Sequence, residues 1–164
     1  MARRRVFFSF DYDDIWRVMQ IRNHLFTKGI EKSGYIDAAE FEELKENGEK
    51  AVKTWIDEQL ENTSVTVVLI GSKTSESKYV NYEIGKSYDR GNGLLGIYIH
   101  NIKDRYGNTS HKGKNPFDKW RIVDEYDRTK YLFSDIYKTY NWCDDDGYEN
   151  FGDWVEKAAK EAGR

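Results

Sequence analysis

The chain has little proline, little cysteine and no long hydrophobic run. A single proline occurs in 164 residues, and Cys143 is the only cysteine, so an internal disulfide is excluded. A lone cysteine favours a reducing compartment, and we expect a cytoplasmic protein. The longest apolar runs have five to seven residues, well short of the ~18–20 that cross a bilayer. The apolar segment behind the basic start, at 6–8, is too short for a signal peptide, so we expect no leader and no membrane partner.

Sequence signatures of metal and nucleotide binding are also scarce. The three histidines (His24, His100 and His111) lie far apart and, with one cysteine, form no zinc pattern, so we expect no metal. Residues 91–96 spell G-x-G-x-x-G, but they follow a predicted helix and enter a predicted strand, the reverse of a dinucleotide fingerprint. A net charge of −3 gives no long-range attraction for nucleic acid, and we expect none as a partner.

Charged and aromatic residues are abundant instead. Charged residues make up 34% of the chain and aromatic residues 15%. A chain with so many rings is not an ordinary disordered segment, because it has enough apolar surface to offset the entropy of ordering. The length predicts a single domain over residues 1–164.

Short apolar runs alternate with amphipathic segments along the chain. This alternation predicts an α/β fold, a flavodoxin-like three-layer sandwich with a parallel five-stranded sheet (order 2-1-3-4-5) and helices on both faces. The predicted strands lie at 5–10, 34–36, 64–70, 94–99 and 136–142, and the predicted helices at 13–28, 49–62, 78–90 and 150–162. No element is predicted in the acidic segment 37–48, and residues 120–136 show no clear pattern.

In this strand order, strands 1 and 3 are neighbours at the point where the chain changes direction. Ligands of such sheets bind outside the carboxyl ends of the strands at that point, which here involves the loops 9–14 and 71–77. Ser77 can cap the helix that follows. Tyr79 and Glu83 are four residues apart and therefore lie on one face of it. Taken alone, Glu83 has a plainer interpretation, since most glutamates of charged helices are solvated surface residues.

These two segments carry a resemblance to a known family. Phe8-Ser9-Phe10-Asp11 and the acidic turn behind it resemble the first strand of the TIR domain. Ser77, Tyr79 and Glu83 match the serine, the aromatic residue and the catalytic glutamate of TIR enzymes at the same spacing, with tyrosine in place of tryptophan. The resemblance extends over nearly the whole chain.

Three further segments narrow the resemblance. They are the opening at 5–10, the Asn-Pro-Phe at 115–117 and the Phe-x-x-Trp-Val of the last helix. Together they make the chain similar to the divergent TIR-like family of bacterial Thoeris anti-phage systems, the ThsB type. The expected activity rests on this resemblance.

The resemblance implies an NAD-consuming enzyme of antiviral defence. Such enzymes cleave the bond between nicotinamide and ribose, as a NAD nucleosidase or hydrolase does, and members of the ThsB type cyclise the product to a cyclic ADP-ribose isomer that activates a separate effector. NAD is then the substrate, and no cofactor is needed. Glu83 is the implied catalytic residue, which stabilises the oxocarbenium-like ribose. The implied substrate-binding residues are Ser9, Phe10, Asp11, Ser77 and Tyr79.

Two more segments are candidates for supporting roles. Residues 30–48 lie where TIR domains have a loop used in self-association, so we expect possible self-association. The polar loop 100–119 follows strand 4 and is a candidate cover that excludes water. A solvated basic loop is at least as good an interpretation of this segment. Its basic side chains are otherwise candidate pyrophosphate ligands, and they are Lys103, Arg105, Lys112 and Lys114.

Two other functions remain open at this point. The first is a TIR-like adaptor that acts only by protein association. The second is an enzyme like the nucleoside deoxyribosyltransferases, which share the layered fold and use a glutamate nucleophile on a related sugar. The arrangement of Glu83, Phe10 and Asp11 discriminates between these functions: a Glu83 that points to bulk solvent would weaken both enzyme hypotheses.

Overall fold

A computed structural model describes residues 4–27, 31–33 and 38–164, in which a parallel sheet lies between two layers of helices. The strands are β1 (Arg5–Phe10), β2 (Glu31–Ser33), β3 (Val65–Ile70), β4 (Gly93–Tyr98), β5 (Arg121–Val123), β6 (Lys130–Leu132) and β7 (Thr139–Asn141). The helices are α1 (Ile15–Thr27), α2 (Ala38–Glu46), α3 (Glu49–Leu60), α4 (Lys78–Asp89), α5 (Phe133–Ile136) and α6 (Gly147–Glu161). Three 3-10 turns lie at Tyr12–Asp14, Thr74–Glu76 and Pro116–Lys119.

Five strands form the sheet in the order β2-β1-β3-β4-β7, and all of them are parallel. β1 pairs with β2 through Arg5 and Glu31 and with β3 through Val6 and Val65. The predicted three-layer α/β fold is confirmed. The chain has more strands than predicted, because β5 and β6 form a separate antiparallel hairpin between β4 and β7.

The sheet is buried because its central strands are apolar on both faces. All six residues of β3 are buried, as expected of a parallel strand that is covered by helices on both sides. On β1, Phe8 belongs to the core beneath α1 and α6 and stacks on Phe151 at 5.8 Å. Phe7 points to the other face and packs with Val52 of α3. Alternate residues of β1 therefore face α3 and α4, and Ser9 shares this face with Phe7.

Several elements differ from the sequence-based expectation. α2 lies in the acidic segment, and the hairpin with α5 fills the segment that showed no pattern. The edge strand predicted at 34–36 lies outside the described residues, and the edge strand of the structure is β2, at Glu31–Ser33. α5 ends at Ile136, so the last strand begins later than predicted. α6 begins three residues earlier than predicted. It follows Asp146, which lies in the left-handed region with a φ of 53°.

No helix in the described part of the chain is both long enough and apolar enough to cross a membrane.

Candidate active site

Glu83 lies on α4 with its carboxyl group turned towards β1. α4 begins behind Ser77, whose Oγ accepts a hydrogen bond from Val80 N at 3.3 Å and caps the helix. Glu83 follows in the second turn and is only 7% exposed. Its position next to the carboxyl half of β1 follows from the register of the sheet, because β1 and β3 are direct neighbours and α4 crosses over both.

In the part of the chain that the structure describes, one side-chain hydrogen bond holds this carboxyl group. Ser9 Oγ donates to Glu83 Oε1 at 2.6 Å, and Ser9 is fully buried. Burial raises the pKa of Glu83 to about 8, and the bond from Ser9 acts in the opposite direction. Desolvation is therefore the dominant influence on this group, as is common for carboxyl groups at functional sites.

A cleft of about 270 Å³ opens beside this pair, at the carboxyl end of β1. Its walls come from the turn after β1, from α2 and from the start of α4, and they consist of Phe10, Asp11, Tyr12, Asp13, Phe41, Glu42, Lys45, Ser77 and Tyr79. Four of these residues are aromatic and form a continuous series. The Phe10 and Tyr12 rings are 4.7 Å apart, Tyr12 stacks on Phe41 at 4.0 Å, and Phe41 meets Tyr79 edge-on at 6.2 Å.

The charges of the cleft are mostly negative. Asp11, Asp13 and Glu42 line it together with one cation, Lys45, which pairs with Glu42 at 2.7 Å. Asp11 also caps the 3-10 turn, since its Oδ1 accepts a hydrogen bond from Asp13 N at 2.9 Å. An aromatic wall with carboxylates at its rim suits a cationic aromatic group, because aromatic faces and carboxylates both attract positive charge.

A second buried carboxyl group, that of Asp14, lies against Gly71, the residue that follows β3. Arg17 Nη1 approaches Asp14 Oδ1 at 3.3 Å, and the same guanidinium group donates to the carbonyl oxygens of Ile102 at 2.7 Å and Asn108 at 3.0 Å. Burial raises the pKa of Asp14 to about 6, although Arg17 lowers it. Gly71 admits this carboxylate, because a Cβ there would lie 2.0 Å from Asp14 Oδ2.

The structure brings together most of the residues that the sequence singled out. Phe10, Asp11, Ser77 and Tyr79 line one cleft. Ser9 and Glu83 lie next to the cleft wall and do not line it; Glu83 is buried and does not point to bulk solvent. The contribution of α2, with Phe41, Glu42 and Lys45, was missed. A single aromatic residue within an acidic segment was the available signal for it.

The loop 100–119 contributes no residue to the cleft and packs against Gly71, the residue that follows β3. Gly113 lies so close to the Gly71 carbonyl that a Cβ would be 2.1 Å from the oxygen. Arg105 stacks over the Tyr106 ring, and Lys112 lies 4.6 Å from the centroid of Tyr98. None of the four basic residues proposed for pyrophosphate is among those that line the cleft. Within the described ranges, no three His, Cys, Asp or Glu side chains come together as a metal site.

Comparisons with known proteins find relatives that share this region. Residues 7–104, which include every residue of the cleft as well as Ser9 and Glu83, match a family model described as "Thoeris protein ThsB, TIR-like domain". A curated relative from Bacillus cereus (strain MSX-D12) is named "Putative cyclic ADP-D-ribose synthase ThsB1". It is 40% identical, in an alignment that covers 93% of this chain and 98% of the relative.

Proposed function

The chain belongs to the family of Thoeris ThsB TIR-like proteins, and from this premise we propose that it cleaves NAD between nicotinamide and ribose and cyclises the product to a cyclic ADP-ribose isomer. The name of the relative supports the class of product. The observation that carries the proposal is a carboxyl group, Glu83, buried beside an aromatic cleft and held there by one hydroxyl.

The reaction needs little from the protein besides a carboxylate and a dry site. Nicotinamide is cationic while it is attached to ribose and leaves as a neutral molecule, so a strong general acid is unnecessary. The bond from the ribose anomeric carbon to the nicotinamide nitrogen breaks, and the sugar becomes oxocarbenium-like. Glu83 stabilises this cation, and its burial strengthens the interaction because the local dielectric is low.

The cleft binds the cationic nicotinamide ring next to Glu83. Phe10 and Tyr79 provide aromatic faces, and Asp11 at the rim attracts the positive charge. In the free protein Glu83 is mainly protonated at neutral pH, since its pKa is about 8. A cation that arrives beside it favours the carboxylate and drives its proton to solvent.

A pH dependence follows from this proton release. Below the pKa of Glu83, each further unit of acidity lowers the carboxylate fraction about tenfold. We therefore expect kcat/KM for NAD to rise with pH and to level off near pH 8, because kcat/KM reports the ionisation of the free enzyme. A profile that is flat between pH 6 and pH 8 would contradict this role of Glu83.

Cyclisation requires that an internal nucleophile reaches the ribose before water does. An adenine ring nitrogen or a ribose hydroxyl attacks the anomeric carbon, and the overall balance is NAD⁺ to nicotinamide, cyclic product and one proton. Exclusion of water from the cleft decides between cyclisation and hydrolysis. The cyclic product then leaves as a diffusible signal for a separate effector protein.

We place the reaction in the cytoplasm, in keeping with the exposed free thiol of Cys143. We also propose that self-association through residues 30–48 supports the reaction.

The substitution Glu83→Gln tests the catalytic role. Purified protein and variant are incubated with NAD, and the products are separated by chromatography with mass detection. We expect nicotinamide and a cyclic ADP-ribose mass from the native chain and a loss of at least ~10²-fold in the variant, as for removal of one main stabilising group.

The matched control is Glu76→Gln, an exposed glutamate just before α4, which should retain full activity. The same assay is run in lysates of phage-challenged cells that express the protein, so that a requirement for a trigger is met. Intact NAD in those lysates would overturn the enzyme proposal and favour the adaptor.

A further inference from the structure

Ser9 lies directly beneath the proposed catalytic carboxyl group and does not line the cleft. We propose that Ser9 is a positioning residue, which holds Glu83 by its hydroxyl proton and thereby sets the pH range in which the site works. This inference rests on the proposed function, and it changes the role expected of Ser9 from the resemblance, in which it contacted substrate.

The geometry favours an action through Glu83. Ser9 is the fifth residue of β1 and has no exposed surface, so a substrate in the cleft has no access to its hydroxyl. A serine hydroxyl has one proton, and Ser9 donates it to Glu83 Oε1 at 2.6 Å. This length lies within the range of hydrogen bonds between two oxygen atoms. The bond fixes one oxygen of Glu83 and leaves the other available for the ribose.

Several charged groups on α4 and on the elements around it interact with residues other than Glu83. β3 and β4 have no charged residue, and the only one of β1, Arg5, begins the strand at its opposite end. On α3, Asp57 accepts the Tyr82 hydroxyl, and Glu49 pairs with Lys78 of α4 and with Lys53 of its own helix. α4 also carries Lys86, which lies over the Tyr82 ring. Among the described residues, Ser9 is thus the one side chain that favours the charged form of Glu83.

A neutral partner suits a site that must receive a cation. A lysine or arginine beside Glu83 would ionise it fully but would also neutralise its charge and repel the substrate cation. A hydroxyl instead favours the carboxylate only partly and leaves its charge for the ribose. Removing the hydroxyl should raise the pKa of Glu83 further, because the bond from Ser9 is the one influence that lowers it.

The chain contains a matched control for this test. Ser87 lies on α4 one turn after Glu83, is also fully buried, and shares a hydrogen bond of 2.7 Å with Thr66 on β3. Ser9→Ala and Ser87→Ala each remove one buried hydroxyl between α4 and the sheet. Only the first of these hydroxyls is bonded to Glu83.

The experiment measures kcat/KM for NAD against pH for the native chain, Ser9→Ala and Ser87→Ala. We expect the acid limb of the Ser9→Ala profile to move upward by about one pH unit, as for loss of a hydrogen bond to a charged group. At about pH 7 this is a roughly tenfold loss of kcat/KM that is largely recovered at about pH 9.5. The Ser87→Ala profile should keep its native position. Equal profiles for all three proteins, or equal shifts in both variants, would overturn the role of Ser9.

A second measurement makes the inference independent of turnover. The free energy of unfolding is determined against pH for the same three proteins, because a perturbed carboxyl group makes stability depend on pH. In Ser9→Ala the pH-dependent window linked to Glu83 should extend about one unit higher. This shift, together with intact NAD in the lysates of phage-challenged cells, would uphold the Ser9–Glu83 linkage and refute the enzyme. Cleavage without either shift would refute the linkage alone.

Discussion

Two buried carboxyl groups lie near the carboxyl ends of the central strands, and they differ first in the side chain that is paired with each of them. Asp14 is paired with a guanidinium group, that of Arg17, and its pKa is about 6. Glu83 is paired with a hydroxyl, that of Ser9, and its pKa is about 8. A carboxyl group with its own cation serves the fold, while one that is buried without a cation remains able to receive a cation from a ligand.

The contrast extends to the backbone around each group. Arg17 also binds the carbonyl oxygens of Ile102 and Asn108, so it joins α1 to the loop after β4. Gly71 closes against the Asp14 carboxylate without space for a side chain. On the other side, Glu83 adjoins a cleft of about 270 Å³. The packed surroundings of Asp14 therefore hold the 3-10 turn after β1, whose Tyr12 and Asp13 line the cleft.

The largest effect on stability is expected from Arg17→Met. The substitution leaves Asp14 buried without its cation and removes the hydrogen bonds of Arg17 to the carbonyl oxygens of Ile102 and Asn108, so we expect a loss of about 3–5 kcal/mol in the free energy of unfolding. Chemical denaturation at neutral pH measures it. Arg22→Met, at an exposed position of the same helix, is the control and should cost less than about 0.5 kcal/mol. Equal losses in the two variants would show that Arg17 contributes no more than a surface arginine.

A change of intermediate size is expected from Glu83→Gln, and it should favour stability. The folded state raises the pKa of Glu83 from 4.5 to about 8, so between these values the folded protein holds a proton that the unfolded chain has lost. Stability therefore falls as the pH rises through this window. Between pH 6 and pH 8 the native chain should lose about 2 kcal/mol through this group.

The variant lacks this titration, so its unfolding free energy should change less over the same range. Denaturation curves of both proteins at the two ends of that range measure the difference. The range begins at the pKa of Asp14, about 6, so Asp14 contributes only the last part of its titration, and it does so equally in both proteins. Identical slopes would mean that Glu83 is not buried as a neutral acid.

The smallest effect is expected at the rim of the cleft, from Asp11→Asn. The amide retains an oxygen that can cap the 3-10 turn at Asp13 N, so only the charge changes. A partly exposed charge contributes about 0.5–1 kcal/mol, and we expect KM for NAD to rise about two- to fivefold with kcat unchanged. Steady-state kinetics at low and high salt measure it, since screening should remove the difference. A fall in kcat instead would place Asp11 among the groups that act on the transition state.

The sequence predicted those parts of the fold that have a strong local pattern. β3 is an unbroken run of β-branched and apolar residues, and the helix with Ser77 has both a capping residue and an apolar face, so both were placed within a residue or two. α2 has few apolar residues and is held by packing of Phe41 on the Tyr12 ring. The strands of the hairpin have three residues each, too few to show alternation.

The sequence predicted which residues belong to the candidate site better than it predicted how they are arranged. The spacing of Ser77, Tyr79 and Glu83 placed the last two on one helix face, and the structure agrees. The role of Ser9 depends on which face of β1 it occupies. Its alternation with Phe7 was a usable signal, since residues two apart on a strand share a face. The cleft wall from α2 depends on tertiary packing, which no local pattern shows.

The parallel pairing of β1 with β3 has a consequence for how the molecule acquires its site. Ser9 and Glu83 are 74 positions apart, and β3, which pairs with β1 at Ser9, follows only after some sixty residues of chain have been made. Contacts of such long range form late, because the entropy of closing the intervening loop is lost before the contact is gained. A nascent or partly folded chain therefore contains Ser9 and Glu83 before folding has brought them together.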